Sequence, residues 1–133
     1  MSLRFLIDTH ACIAFLDGAG VRLRERWLKT PSDDMALCSV VKTELFRGAW
    51  GSRDPVGVLA RLDQFFRAFR SLPFDDHAAE RCGQIISSLE RSGRPMGVSD
   101  CMIAGIALAE DLTVVTRNQR HLRRIAGLKV SSW

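Results

Sequence analysis

Asp8, Glu44, Asp100 and Asn118 are the side chains of this 133-residue chain whose types and spacing suit joint chemistry. Asp8 closes a short β-rich apolar run, residues 3–7. Glu44 falls in the second turn of the helix predicted after a second apolar run, Met35–Cys38. Asp100 falls in the first turn of a helix that is apolar on almost every side, and Asn118 follows the last clear strand. In a parallel sheet all four converge at the carboxyl ends of the strands, where α/β folds place their ligand crevice. Three carboxylates in a partly dry crevice repel one another. At ~4 Å and an effective dielectric of ~20, each like-charge pair costs about 4 kcal/mol. A divalent Mg²⁺ or Mn²⁺ ion removes the conflict, and hard oxygen ligands suit both. Few protein ligands leave positions for water and phosphate, as metal-assisted phosphodiester hydrolysis requires. Each residue also has a plainer role: Asp8 as a helix cap, Glu44 as a solvated helix residue, Asp100 as a dipole partner, Asn118 in a turn. The site therefore rests on their joint placement.

The elements that must position them alternate short strands with helices. Asp8 or Thr9 caps a helix over 11–16, Asp17-Gly18-Ala19-Gly20 breaks it, and Val21–Lys29 is helical. Ser39 is predicted to cap a helix over 40–50. Asp54 caps the next, with Pro55 at its first position, running to about residue 70. Residues 72–74 form a brief extended piece whose proline marks an edge. Asp76 caps a helix over 78–90. Ser99 is predicted as N-cap of the central helix, which ends near Glu110 and Asp111. Residues 112–115 are a β-branched strand, 122–125 a short helix and 128–130 a last strand. This alternation implies an α/β fold, a parallel sheet covered on both faces.

Size and composition set the limits. The length suits a single domain, 1–133, with one core. Apolar residues at 47% and charged residues at 26% are the balance of a globular protein, and a net charge of +4 allows an anionic partner such as nucleic acid. Cys12, Cys38, Cys82 and Cys101 form no CxxC pair and read as reduced, buried side chains. The N-terminus lacks a signal-peptide core, and the longest apolar run, 101–109, is about half of the ~20 residues a membrane span needs. No membrane association and a cytoplasmic location are therefore expected.

The chain resembles the PIN-domain ribonucleases, and within them the VapC toxins of type II toxin–antitoxin systems. The resemblance is carried by Leu6-Ile7-Asp8-Thr9, Ser39-Val40-Val41-Lys42-Thr43-Glu44-Leu45 and Gly97-Val98-Ser99-Asp100 with Ile103-Ala104. Val115-Thr116-Arg117-Asn118, Ala126-Gly127-Leu128-Lys129-Val130 and the closing Trp133 complete it, in matching order over essentially the whole chain. It implies a PIN-like three-layer α/β/α sandwich around a central parallel sheet. It also implies Mg²⁺- or Mn²⁺-dependent endoribonuclease activity, with RNA phosphodiester bonds hydrolysed through metal-bound water. A cognate VapB-like antitoxin and a homodimer are implied as partners. Asp8, Glu44 and Asp100 stand where the family keeps its metal-binding acids; Glu44 either binds the metal or orients the attacking water. The family's frequent fourth acid is replaced by Asn118 or His121. Thr9, Ser99 and Thr116 are supporting hydrogen-bond candidates, and Arg117 and Arg120 are candidates for RNA contact.

Around this site the charge pattern is asymmetric. No acid follows Asp111, whereas Arg117, Arg120, Arg123, Arg124 and Lys129 do. An acidic centre with a basic border suits a nuclease, and a solvated basic face is the plainer reading. His10 reads as a helix-start residue and His77 as surface, while His121 lies near the site. Phe15, Leu16, Trp27 and Leu28 carry more apolar bulk than so short a helical pair needs. In the resembled family this region receives the antitoxin; ordinary core packing is the alternative. A catalytically weak or inactive PIN-fold module that binds RNA or protein is the competing function.

Overall fold

The computed structural model describes residues 2–133. Its order is β1 (Phe5–Ile7), α1 (Thr9–Leu16), α2 (Val21–Lys29), β2 (Met35–Cys38), α3 (Ser39–Trp50), α4 (Pro55–Phe66) and β3 (Arg70–Leu72). Then follow α5 (Asp76–Arg91), α6 (Val98–Glu110), β4 (Thr113–Val115), α7 (Gln119–Leu122) and β5 (Lys129–Ser131). The five strands make one parallel sheet in the order β3-β2-β1-β4-β5. Central β1 is buried along its whole length, as is β2, because helices cover both faces.

The chain steps outward from β1 to β2 and β3, then returns across the sheet to β4 and β5. Right-handed crossovers send the helices before and after that return to opposite faces. The helices α1 to α4 contact one another, and α5 packs along α6. This is the three-layer α/β/α arrangement expected from the family resemblance. The reversal falls between β1 and β4, so the strand ends there splay into a crevice. Asp8 follows β1 and Thr116 follows β4, and the Asp8 amide donates to the Val115 carbonyl at 3.0 Å.

Several local expectations shift by a residue or more. The N-cap of α6 is Gly97 rather than Ser99, which lies inside the first turn. Ser39 begins α3 behind Cys38, and its hydroxyl donates to the Leu72 carbonyl instead of capping. Asp75, not Asp76, accepts the Ala78 amide at the start of α5. Asp54 and Pro55 begin α4 as expected, but that helix stops at Phe66. Residues Arg70–Leu72 instead form an edge strand on β2, with Pro73 just beyond it. The short helix after β4 is Gln119–Leu122, earlier than the expected 122–125.

Helix α6 is held against α5 by the lack of a side chain at Gly105. A Cβ there would stand 2.7 Å from the Ala78 carbonyl oxygen. The closing Trp133 packs edge-on against Phe5, which opens β1, with 5.1 Å between ring centres.

Candidate active site at the switch point

Asp8 sits in the crevice between β1 and β4. Its Oδ1 caps α1 by accepting the Ala11 amide at 2.9 Å, so the residue that ends the strand also starts the helix. The side chain is buried, and burial raises its carboxyl above the ordinary value. The Thr116 hydroxyl, the Ala11 amide and His10 oppose that rise, while the charge of Asp100 adds to it. Asp100 is therefore near enough to be felt electrostatically.

Thr9, also buried, donates from Oγ1 to Glu44 Oε1 at 2.6 Å. That bond draws the acid of α3 to the amino-terminal turn of α1. Glu44 is thereby tied to the residue that follows Asp8 and is half-buried instead of free at the surface.

Asp100 lies in the first turn of α6, where the helix dipole favours its charge. It is less dry than the sequence suggests, with a side chain 43% exposed. The turn projects at the rim, while Cys101, Ile103 and Ala104 face the core. Its Oδ2 lies 3.1 Å from His121 Nε2. This contact was not visible in the sequence, because the two residues are 21 positions apart on different elements.

The loop after β4 completes the border. Buried Thr116 accepts the Asn118 amide at 2.9 Å, and Asn118 is exposed. Arg117 and Arg120 are exposed, the former lying against Gly20. The expected basic tail divides here. Arg124 donates to the Arg94 and Pro95 carbonyls, and Lys129 pairs with Asp111. Lys129 also begins β5 opposite Thr113, at the far end of the strands from the crevice. Arg123 donates to Gln119, and of the five cations Arg117 and Arg120 make no side-chain hydrogen bond or ion pair among the described residues. His10 and His77 are exposed at helix starts, as read from the sequence.

No lysine or arginine pairs with Asp8, Glu44 or Asp100 among the described residues. Hard carboxylate oxygens lacking a cationic side chain fit a hard divalent ion such as Mg²⁺ or Mn²⁺. Among the described residues, no three His, Cys, Asp or Glu side chains stand close enough to form a finished cage. The crevice is built from pairs, Thr9 with Glu44 and Asp100 with His121, beside a buried Asp8.

The bulk at Phe15 and Trp27 resolves into core and surface. Trp27 is buried and stacks on Phe15, with ring centres 4.1 Å apart. Leu16 and Leu28 remain exposed. A cleft of about 290 Å³ opens between α1, α3 and α4, floored by Ile13, Leu16, Leu45 and Leu62 and edged by Arg61. Glu44 lines it too, so the apolar cleft runs into the acidic crevice. All four cysteines are free and buried. Burial pushes the Cys38 thiol up to about 11 and raises that of Cys12 well above its ordinary value, so neither is a nucleophile at neutral pH. No helix of the described residues is long and apolar enough to cross a membrane.

The PIN domain family model matches residues 5–128. The chain is 37% identical over 131 residues to a tRNA(fMet)-specific endonuclease VapC of Shigella flexneri, with 98% of each covered. It is 26% identical over 131 residues to Ribonuclease VapC2 of Haemophilus influenzae, again covering 98% of each. Among solved structures, the DNA-bound VapBC complex of Salmonella typhimurium superposes with a TM-score of 0.92, 37% identity and 98% coverage of both chains. FitAcB of Neisseria gonorrhoeae superposes with a TM-score of 0.85, at 26% identity and 95% coverage of both.

Proposed function

The chain belongs to the PIN domain family, within its VapC group, and from that premise we propose that it is a metal-dependent endoribonuclease and the toxin of a toxin–antitoxin pair. The observation that carries this reading is buried Asp8 at the switch point of the sheet, close enough to feel the charge of Asp100, followed by Thr9, which binds Glu44; none of these acids pairs with a lysine or arginine among the described residues. Full-length relatives that are named endonucleases support it.

Asp8 and Asp100 are the residues that would hold Mg²⁺ or Mn²⁺, with Glu44 beside them. A bound divalent ion supplies positive charge for the phosphate and eases deprotonation of the attacking water. The chain's own residues do the rest. Thr9 fixes one oxygen of Glu44, leaving the other to orient the water. Thr116 and the Ala11 amide favour the ionised form of buried Asp8. Arg117 and Arg120 receive the RNA backbone beside the acids. Ser99, in the first turn of α6 next to Asp100, supports that carboxylate.

The partner is a VapB-like antitoxin, and the cleft between α1, α3 and α4 is its seat. An apolar segment placed there ends at Glu44, so a basic residue at its tip would block the acids. A second copy of the chain can cover Trp50 and Val56, 68% and 80% exposed where α3 passes to α4.

The test is cleavage of an RNA pool that includes tRNA(fMet), the RNA for which the Shigella flexneri relative is named. Purified protein is expected to cut with Mg²⁺ or Mn²⁺ and to stop with EDTA. Asp100→Asn should abolish cutting with the fold intact. Absence of cleavage under all metal conditions leaves the non-catalytic binding module as the function.

A further inference from the structure

Arg22, Arg26 and Lys29 stand on one stripe of α2, each about one helical turn from the next. Another side of the helix carries Leu23 and Trp27 into the core, so the stripe faces outward. It forms one wall of a groove of about 510 Å³, whose other wall is Gln119 at the start of α7 with Ser132 and Trp133 after β5. All three cations are exposed, and none makes a side-chain hydrogen bond or an ion pair among the described residues. Glu25 stands at the rim, so three positive charges face one negative charge. The groove begins beside the mouth of the crevice. Arg117, at that mouth, lies against Gly20, the N-cap of α2 two positions before Arg22. Gln119 stands two positions beyond Arg117.

Charge repeated once per turn, with no open apolar anchor between, fits a polyanion whose own charges recur at regular steps. A protein partner would draw its affinity from buried aromatic or aliphatic anchors. The aromatic ring of this groove is already engaged: Phe5 packs against Trp133, and the Arg26 guanidinium lies 5.3 Å from its ring centre. That contact also holds Arg26 toward the floor. Arginine forks and a lysine ammonium both bind phosphate oxygens. Seven residues of helix separate Arg22 from Lys29, about 10 Å, which is room for a few nucleotides.

We propose that the groove between α2 and the segment after β5 is the track along which single-stranded RNA reaches the crevice, with Arg22, Arg26 and Lys29 holding successive backbone phosphates. The inference rests on the ribonuclease reading of the preceding subsection and extends it from the cut bond to the nucleotides flanking that bond. Contacts to phosphate position the strand without reading its sequence.

The test is binding of a single-stranded oligouridylate to the full chain in EDTA, across salt concentrations. The double variant Arg22→Ala/Lys29→Ala is compared with Arg81→Ala/Arg91→Ala, which removes the same two charges from α5, outside the groove. Each phosphate contact contributes about 0.7 to the slope of log affinity against log salt, so the first variant should lose about 1.4 of slope and on the order of tenfold in affinity at low salt. The α5 variant should keep both, and Glu25→Gln should bind more tightly than wild type. On an RNA that the wild type cuts, Arg22→Ala/Lys29→Ala should raise KM more than it lowers kcat. An unchanged slope, or an equal loss in the α5 variant, overturns the proposal. So does binding of polyglutamate that needs Arg22 and Lys29 while RNA binding does not, which makes the groove a seat for an acidic protein segment. Metal-dependent cleavage with an unchanged slope removes the groove alone. Groove-dependent RNA binding without cleavage under any metal condition keeps the groove and removes the nuclease reading.

Discussion

The hydroxyl of Thr9 donates to Oε1 of Glu44 at 2.6 Å, joining residues 35 apart in the chain. Thr9 follows Asp8, which caps α1, so one short segment both supplies a crevice acid and grips another. Thr9→Val keeps the shape and removes the donor. Stability should fall by about 1 kcal/mol, the net worth of such a bond. RNA cleavage should fall by roughly 10–100-fold, as expected when a supporting hydrogen bond to a site residue is lost. Thermal melts and initial cleavage rates measure the two. Unchanged rates would free Glu44 from this dependence.

Asp8 predicts a pH effect with a definite sign. Burial is the main cause of its raised carboxyl. Between its unfolded and folded values the native state binds more protons than the unfolded chain, so stability falls as pH rises through that window. Below the unfolded value both states are protonated and the penalty vanishes; above the folded value it is complete. Asp8→Asn retains a carbonyl oxygen for the Ala11 amide and carries no charge. Measured in EDTA, this variant should be more stable than wild type at neutral pH, with the gap closing in acid, yet it should cleave no RNA. A gap independent of pH would refute the buried charge as its origin.

The same residues show how far the sequence could be read. β1 and β2 are fully buried apolar runs, and Asp8 and Thr116 follow strands whose placement needed only parallel pairing. The caps shifted because the residue that leaves helical geometry need not be the best capping type nearby. Ser99 stands two residues beyond the cap at Gly97, and Asp76 next to Asp75. Residue type does not determine which of them leaves helical geometry. Arg70 and Ser71 are exposed and become a strand through pairing with Ala36 and Leu37, an interaction no local pattern encodes. The Asp100–His121 contact depends on where a four-residue helix docks, and periodicity over so short a span carries no signal.

Gly105 tests the packing that positions Asp100. It lies in α6 against α5, and the neighbour a new side chain would meet is backbone, the Ala78 carbonyl, with Cys82 Cβ at 3.0 Å. Neither can swing aside as a long side chain does. Gly105→Ala gains helix propensity but forces the two helices apart, and overpacking of this kind costs about 1–3 kcal/mol. A lower melting temperature is expected. Gly83→Ala serves as the control, since nothing stands within 4 Å of the position its Cβ would take. It should be neutral or slightly stabilising.

Arg117 and Arg124 separate binding from scaffolding within one basic segment. Arg124 spends its guanidinium on the Arg94 and Pro95 carbonyls, at 2.6 and 3.1 Å. Arg117 is exposed beside the crevice, lying over Gly20, whose positive φ of 78° suits a residue without Cβ. A phosphate neutralised by one arginine contributes about 0.7 to the slope of log affinity against log salt for single strands. Arg117→Ala should therefore reduce that slope by about this amount and weaken RNA binding, with the melting temperature nearly unchanged. Arg124→Ala should do the reverse, lowering the melting temperature while the slope holds. Filter-binding titrations across salt concentrations, run beside thermal melts, measure both. If Arg124→Ala changed the slope and Arg117→Ala did not, the RNA path would run over the α5 side of the molecule instead of the mouth between β1 and β4.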